Sequence, residues 1–182
     1  AGLLALCFGV HLRVGTARWT GRFSAVSAAG ALALYGALQA VDGVANEQAD
    51  AAWVRAPDAD KAARFASAEA VRWIEWGMRS YHDYTLGLAL LLFAVAVAWT
   101  AWIPLPIGVL MGLSGVVYLV QGWVVGAEGF SQALSFEIVL AWVLSLVWMI
   151  WLFIVAWRTP ESERRRLEAK GRGRPGTIHS SS

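Results

Sequence analysis

Residues 84–102, YTLGLALLLFAVAVAWTAW, are nineteen positions without one charged side chain. A hydrocarbon core about 30 Å thick is crossed by about 20 apolar residues in a helix, so this stretch can span a bilayer on its own. Working outward from it, the turn WIPLP leads into a second apolar run that begins after Pro104 and covers 106–126. A third run covers 133–157, and upstream another covers 23–45, with Asp42 near its end. In lipid every backbone N–H and C=O must be paired within its own segment, which makes these runs helices. The expected fold class is therefore all-α. It is a transmembrane helical bundle of four spans with a truncated N-terminal apolar segment and an extracytoplasmic amphipathic helix. Residues 1–157 form a single transmembrane domain, with an outer loop over 46–82, and 158–182 form a basic cytoplasmic tail. The first ten residues, AGLLALCFGV, are too short to cross and read as the end of a membrane helix cut short, or as a short interfacial piece. No basic region precedes them, which argues against a cleaved signal peptide.

Composition agrees. The chain of 182 residues is 58% hydrophobic and 15% charged, with mean hydropathy +0.52. Soluble domains sit near 45–50% apolar and about 25% charged. A disordered tail, a disulfide-stapled secreted module and an ordinary cytosolic enzyme are excluded. Cys7 is the single cysteine, so no internal disulfide forms. A net charge of +2 is too small and too unevenly spread for a nucleic-acid footprint, and no nucleic-acid partner is expected.

Orientation follows from the bases. Arg13, Arg18 and Arg22, with seven bases from Arg158 onward, put ten of the fifteen on one side of the alternating spans. The other side holds five bases and ten acids. The 11–22 loop, the WIPLP turn and the tail are expected in the cytoplasm. Loop 46–82 and the GAEGFSQ turn are expected outside, in a bacterial plasma membrane. The basic tail suits anionic inner-leaflet lipid, at about 1 kcal/mol per base. Aromatic rings fall in two belts: Trp19, Trp99, Trp102, Trp151 and Trp157 inside, and Trp53, Trp73, Trp76, Tyr81, Tyr84 and Trp123 outside. Trp142 and Trp148 fall mid-span and are expected to pack between helices.

Small residues recur four apart: Gly108 and Gly112, Gly122 and Gly126, Ala29, Ala33 and Ala37, Gly36 and Ala40. Such stripes let helices approach closely in lipid, where apolar burial gives no driving force. Packing within one bundle is expected rather than an oligomer seam. Outside the spans, the acids Asp58 and Asp60 open an amphipathic helix over 58–80, placing Arg64, Arg72, Glu75 and Arg79 on one stripe with intrahelical pair spacing. It is expected to lie on the outer surface or roof the bundle. A short helix over 45–53, ended by Pro57, precedes it.

Polar groups inside or beside the spans collect in the outer half: Gln39, Asp42, Arg79, His82, Asp83, Gln121, Glu128 and Glu137. Ionisable groups in a membrane cost several kcal/mol unless paired or wetted, so these eight are the candidate ligand-binding residues of an outward-facing polar pocket. No catalytic or metal site is assigned. His82 is the one histidine there, which leaves zinc and a bis-histidine haem without ligands. Ser80 and Ser135 match His82 only in depth, and no nucleophile elbow is present. No cofactor is implied. The plain counter-reading is a lock, with Arg79 pairing with Glu137 or Asp42.

The stretches LYGALQAVDGVANEQADAAW (34–53), EAVRWIEWGMRSYHDYTLG (69–87) and VYLVQGWVVGAEGFS (117–131) resemble uncharacterised multi-pass integral membrane proteins of high-GC bacteria. The resemblance implies topology and a bacterial source, and carries no activity. The function expected is that of a non-enzymatic membrane protein. It is either an accessory subunit of a larger complex or homo-oligomer, or a binder of a lipid-like ligand. The alternative is a membrane enzyme or small transporter using the outer-half Asp/His/Glu cluster.

Overall fold

The structure, a computed structural model, describes residues 16–99, 103–129 and 132–158. The apolar segment 1–10, His11, Trp102 and the tail beyond Arg158 lie outside the described residues, as do the side chains of Gln132 and Ser135. Every described element is helical. Helix α1 is Thr16–Ala40; a π-helical turn, Val41–Ala45, joins it to α2, Asn46–Val54. Helix α3 is Lys61–Ala98, α4 is Leu105–Glu128 and α5 is Gln132–Arg158. Four helices are long and apolar enough to cross a membrane: the rod Trp19–Val54, α3, α4 and Phe136–Arg158 of α5.

Local chemistry sets the boundaries. The Arg55 and Ala56 amides close the end of α2 on the carbonyls of Ala51 and Trp53, and Pro57 then stops the chain continuing. Asp60 precedes α3, and its carbonyl accepts from the Arg64 amide. Pro104 and Pro106 start α4, where a missing N–H costs least. Gly129 ends it at φ +70°, a conformation that favours glycine, and a Cβ there would lie 2.6 Å from the Trp76 ring.

Two features differ from the sequence expectation. The 58–80 helix and the span beginning near Tyr84 are one unbroken helix of 38 residues, about 57 Å long. It stands along the bundle instead of lying across its mouth. No proline interrupts 78–86, and Ser80 is held by α4, so nothing bends the chain there. The π-helical turn is the second difference: the Asn46 amide donates to the Val41 carbonyl five residues back, which lets the upper rod re-aim its polar face at α3.

The close pairings run in a row, α1 on α3, α3 on α4 and α4 on α5, with α2 on the N-terminal part of α3. The α3–α4 seam is glycine-lined. A Cβ on Gly87 would sit 2.7 Å from the Gly115 carbonyl oxygen, and one on Gly115 would sit 2.8 Å from that of Gly87. Gly108, Gly122 and Gly126 likewise abut Val97, Ser80 and the Ser80 hydroxyl. The α4 stripe thus packs within the bundle. The α1 stripe does not, which corrects that part of the expectation: Ala29, Ala33, Gly36, Ala37 and Ala40 are exposed, and nothing lies within 4 Å of a Cβ at Gly36. The reason is register. The face that α1 buries carries Ser24, Ala31 and Leu38 at sevenfold spacing, on the other side of the helix.

The apolar core sits toward the end where α3 finishes and α4 begins. Leu90, Phe93, Val97, Ile107 and Met111 interlock there, and Trp148 enters from α5. Trp142, by contrast, points outward, because it lies about a third of a turn from Trp148 on the helix circumference.

Candidate functional site

The polar cluster lies at the other end, on the side of α3 and α4 nearest the α2–α3 hairpin. At its centre is Asp83, only 2% exposed. Its Oδ1 is 2.9 Å from Nδ1 of His82, and its Oδ2 accepts from the Gln121 amide at 3.0 Å. Gln121 is equally buried, at 2%. The Ser80 hydroxyl donates to the Gly122 carbonyl at 2.7 Å, an arrangement permitted because Gly122 lets the two backbones close up. Arg79, one turn before Asp83, and Asp83 itself both lie within electrostatic reach of Tyr118, whose hydroxyl is beside Ser145 of α5. The Tyr35 ring of α1 leans on His82 with centroids 5.5 Å apart. All four long helices therefore contribute: Tyr35 from α1, His82 and Asp83 from α3, Gln121 and Tyr118 from α4, and Ser145 from α5.

Of the eight residues singled out in the sequence, His82, Asp83 and Gln121 are in direct contact. Arg79 adjoins them, and Glu137 is half-buried on α5. Gln39 and Asp42 are exposed on α1 and its π-turn, and Glu128 is exposed in the last turn of α4. Sequence reading alone missed Tyr35, Tyr118 and Ser145. The available signal was spacing: Tyr118 precedes Gln121 by one turn, on the same face of α4.

A second polar contact joins α2 to α3. The Asn46 amide donates to Glu75 at 2.6 Å, with Glu75 only 8% exposed, and Arg72 pairs with Asp50 at 2.8 Å. Arg72 and Glu75 thus both reach partners on the neighbouring helix. The matching signal was Asn46 and Asp50 four apart, facing Arg72 and Glu75 three apart.

No protein-family model, curated protein or solved structure matches this chain.

Chemically, the central contacts consume most of what the side chains offer. Both Asp83 oxygens, the Gln121 amino group and the Ser80 hydroxyl have partners within the chain. Among the described residues three buried acceptors have no hydrogen-bond donor: Gln121 Oε1 and Glu137 Oε2 in this region, and Asn46 Oδ1 at the α2–α3 contact. Among the described residues no three His, Cys, Asp or Glu side chains converge as a metal site would require.

Proposed function

We propose that this is a non-enzymatic integral membrane protein that serves as an accessory subunit of a larger membrane assembly. It crosses a bacterial plasma membrane four times, with the 46–82 segment outside and the basic tail on anionic lipid inside. The polar cluster then acts as a lock between α3 and α4. In hydrocarbon a buried carboxylate is tolerated when hydrogen bonds hold it, and Asp83 is held on both oxygens.

The observation that carries the subunit reading is the outward ridge of α1. Ala29, Ala33, Gly36, Ala40 and Gly43 follow one another at spacings of four, three, four and three, and all are exposed. Lipid tails gain little by lying against so shallow a groove, whereas a second helix gains close backbone approach. The same chemistry joins α3 to α4 at Gly87 and Gly115. The test is native electrophoresis of solubilised source membranes. The chain is expected to run in an assembly well above its own 19.7 kDa, and Gly36→Leu is expected to release it with helicity unchanged. A wild-type chain that runs alone refutes the reading.

A second reading, an enzyme or small transporter using the cluster, draws on two of the donor-less acceptors, Gln121 Oε1 and Glu137 Oε2. Full complementation of a deletion strain by both Asp83→Asn and Glu137→Gln would remove it.

A further inference from the structure

Helix α3 outruns α4. The Trp76 ring rests against Gly129, where α4 ends, and α3 continues beyond that level from Glu75 back to Lys61, backed among the described residues by α2 and the π-helical turn. Those fifteen residues make about 22 Å of helix. The face of α3 that meets α4 is defined by contact: Ser80, Tyr84, Gly87, Leu91 and Ala94 all lie against the glycines of α4. Their spacings are four, three, four and three. Continued in the same rhythm past the end of α4, the stripe runs through Gly77, Trp73, Ala70 and Ala66.

This continuation has no cover among the described residues. Trp73 is 60% exposed and Ile74 beside it 56%. Ala66 and Ala70 are exposed, and a Cβ on Gly77 would meet nothing within 4 Å. No charge falls on these positions, although residues 46–75 carry ten charged side chains on their other faces. That density of charge places the hairpin in water, where a contiguous apolar face marks an interaction site.

The surroundings of the stripe select its occupant. Thr16 and Arg158, the outermost described residues, both stand at the opposite end of the bundle, away from the stripe. A symmetric second copy inserted the same way would bring its own α4 and α5 beneath the same face. That would hold the two stripes apart by two helix widths, at about 8–10 Å each. Below the stripe is a ledge made by the end of α4, with Glu128 exposed and the terminal carbonyls adding negative field, and Glu69 is exposed on its flank. We propose that the apolar stripe Ala66–Ala70–Trp73–Gly77, above the Glu128 end of α4, seats a cationic amphipathic helix of a partner protein. The inference rests on the subunit reading and names the kind of partner. The seated helix lies antiparallel to α3, in line with α4, its apolar face on Trp73 and its basic side chains toward Glu128 and Glu69.

The test uses Ala70→Cys in a Cys7→Ser chain, labelled with a hydrophilic maleimide in opened source membranes and after purification. A stripe occupied in about 90% of molecules reacts about tenfold more slowly in the membranes, since only the vacant fraction reacts. Adding Glu69→Lys and Glu128→Lys, both at exposed positions, restores the fast rate. Equal rates in both preparations overturn the proposal. So does a disulfide-linked dimer formed through the introduced thiol, which assigns the face to a second copy. Protection that persists in protein-free vesicles assigns the face to lipid and overturns it too. An introduced thiol that reacts fast in a chain still migrating within a larger assembly overturns this inference alone; a chain that migrates by itself overturns the subunit reading with it.

Discussion

Gly115→Ala tests the α3–α4 seam directly. The added methyl would lie 2.8 Å from the Gly87 carbonyl oxygen, 3.0 Å from Leu91 Cγ and 3.1 Å from the Leu91 nitrogen. Two of those three atoms are backbone and do not swing aside. Restoring ordinary contact requires the helices to part by about 0.6 Å, a gap that forfeits a quarter or more of the dispersion at the seam. Crowding of this kind costs about 1–3 kcal/mol. The same change gains about 1 kcal/mol of helix propensity. Gly30→Ala separates the two effects, because nothing lies within 4 Å of its Cβ and it takes the propensity gain alone. Gly115→Ala is therefore expected to be less stable than Gly30→Ala by about 1–3 kcal/mol, up to a factor of roughly 100 in the folded-to-unfolded ratio. The assay is loss of ellipticity in mild detergent titrated with sodium dodecyl sulfate. If the two variants unfold together, the seam is not close-packed as described and the reasoning fails.

Three further outcomes are expected in the same assay. Gln121→Met removes one of the two partners of the buried Asp83 carboxylate and costs about 1–3 kcal/mol, with a smaller loss once Asp83→Asn is already present. Gly129→Ala costs about 1–3 kcal/mol from its φ of +70° alone; combined with Trp76→Ala the total is less than the sum of the two, because the ring it would strike is gone. Glu75→Ala, which strands the Asn46 amide, costs about 1–3 kcal/mol, whereas Arg72→Ala costs about 1 kcal/mol at most, since its pair with Asp50 is 53% and 42% exposed.

Hydropathy located the four helices long and apolar enough to cross a membrane because it measures where lipid is tolerated. It does not measure where a helix stops. The run at Tyr84 begins where charge ends, and Arg79, His82 and Asp83 mark that edge in the sequence, yet the backbone passes through them without a break. The π-helical turn at Val41–Ala45 left no sequence mark either, since the residues VDGVA suit either winding. In the cluster, His82, Asp83 and Gln121 were legible from depth alone. Which groups they meet depends on rotation about each helix axis. On α1 Gln39 and Asp42 are exposed, whereas Tyr35 stands beside His82. The pairing of Asn46 with Glu75 needed the α2–α3 turn to be placed first, because only then do those two positions stand at one height.

The unbroken length of α3 has a mechanical consequence. Trp73 and Asp83 stand ten residues apart on a single rod, about 15 Å, with neither proline nor kink between them. A tilt imposed at the hairpin is carried along the rod and not absorbed on the way. Ser80 on Gly122 and Gly87 on Gly115 clasp that rod to α4 on either side of the carboxylate, so Asp83 is held between two fixed points.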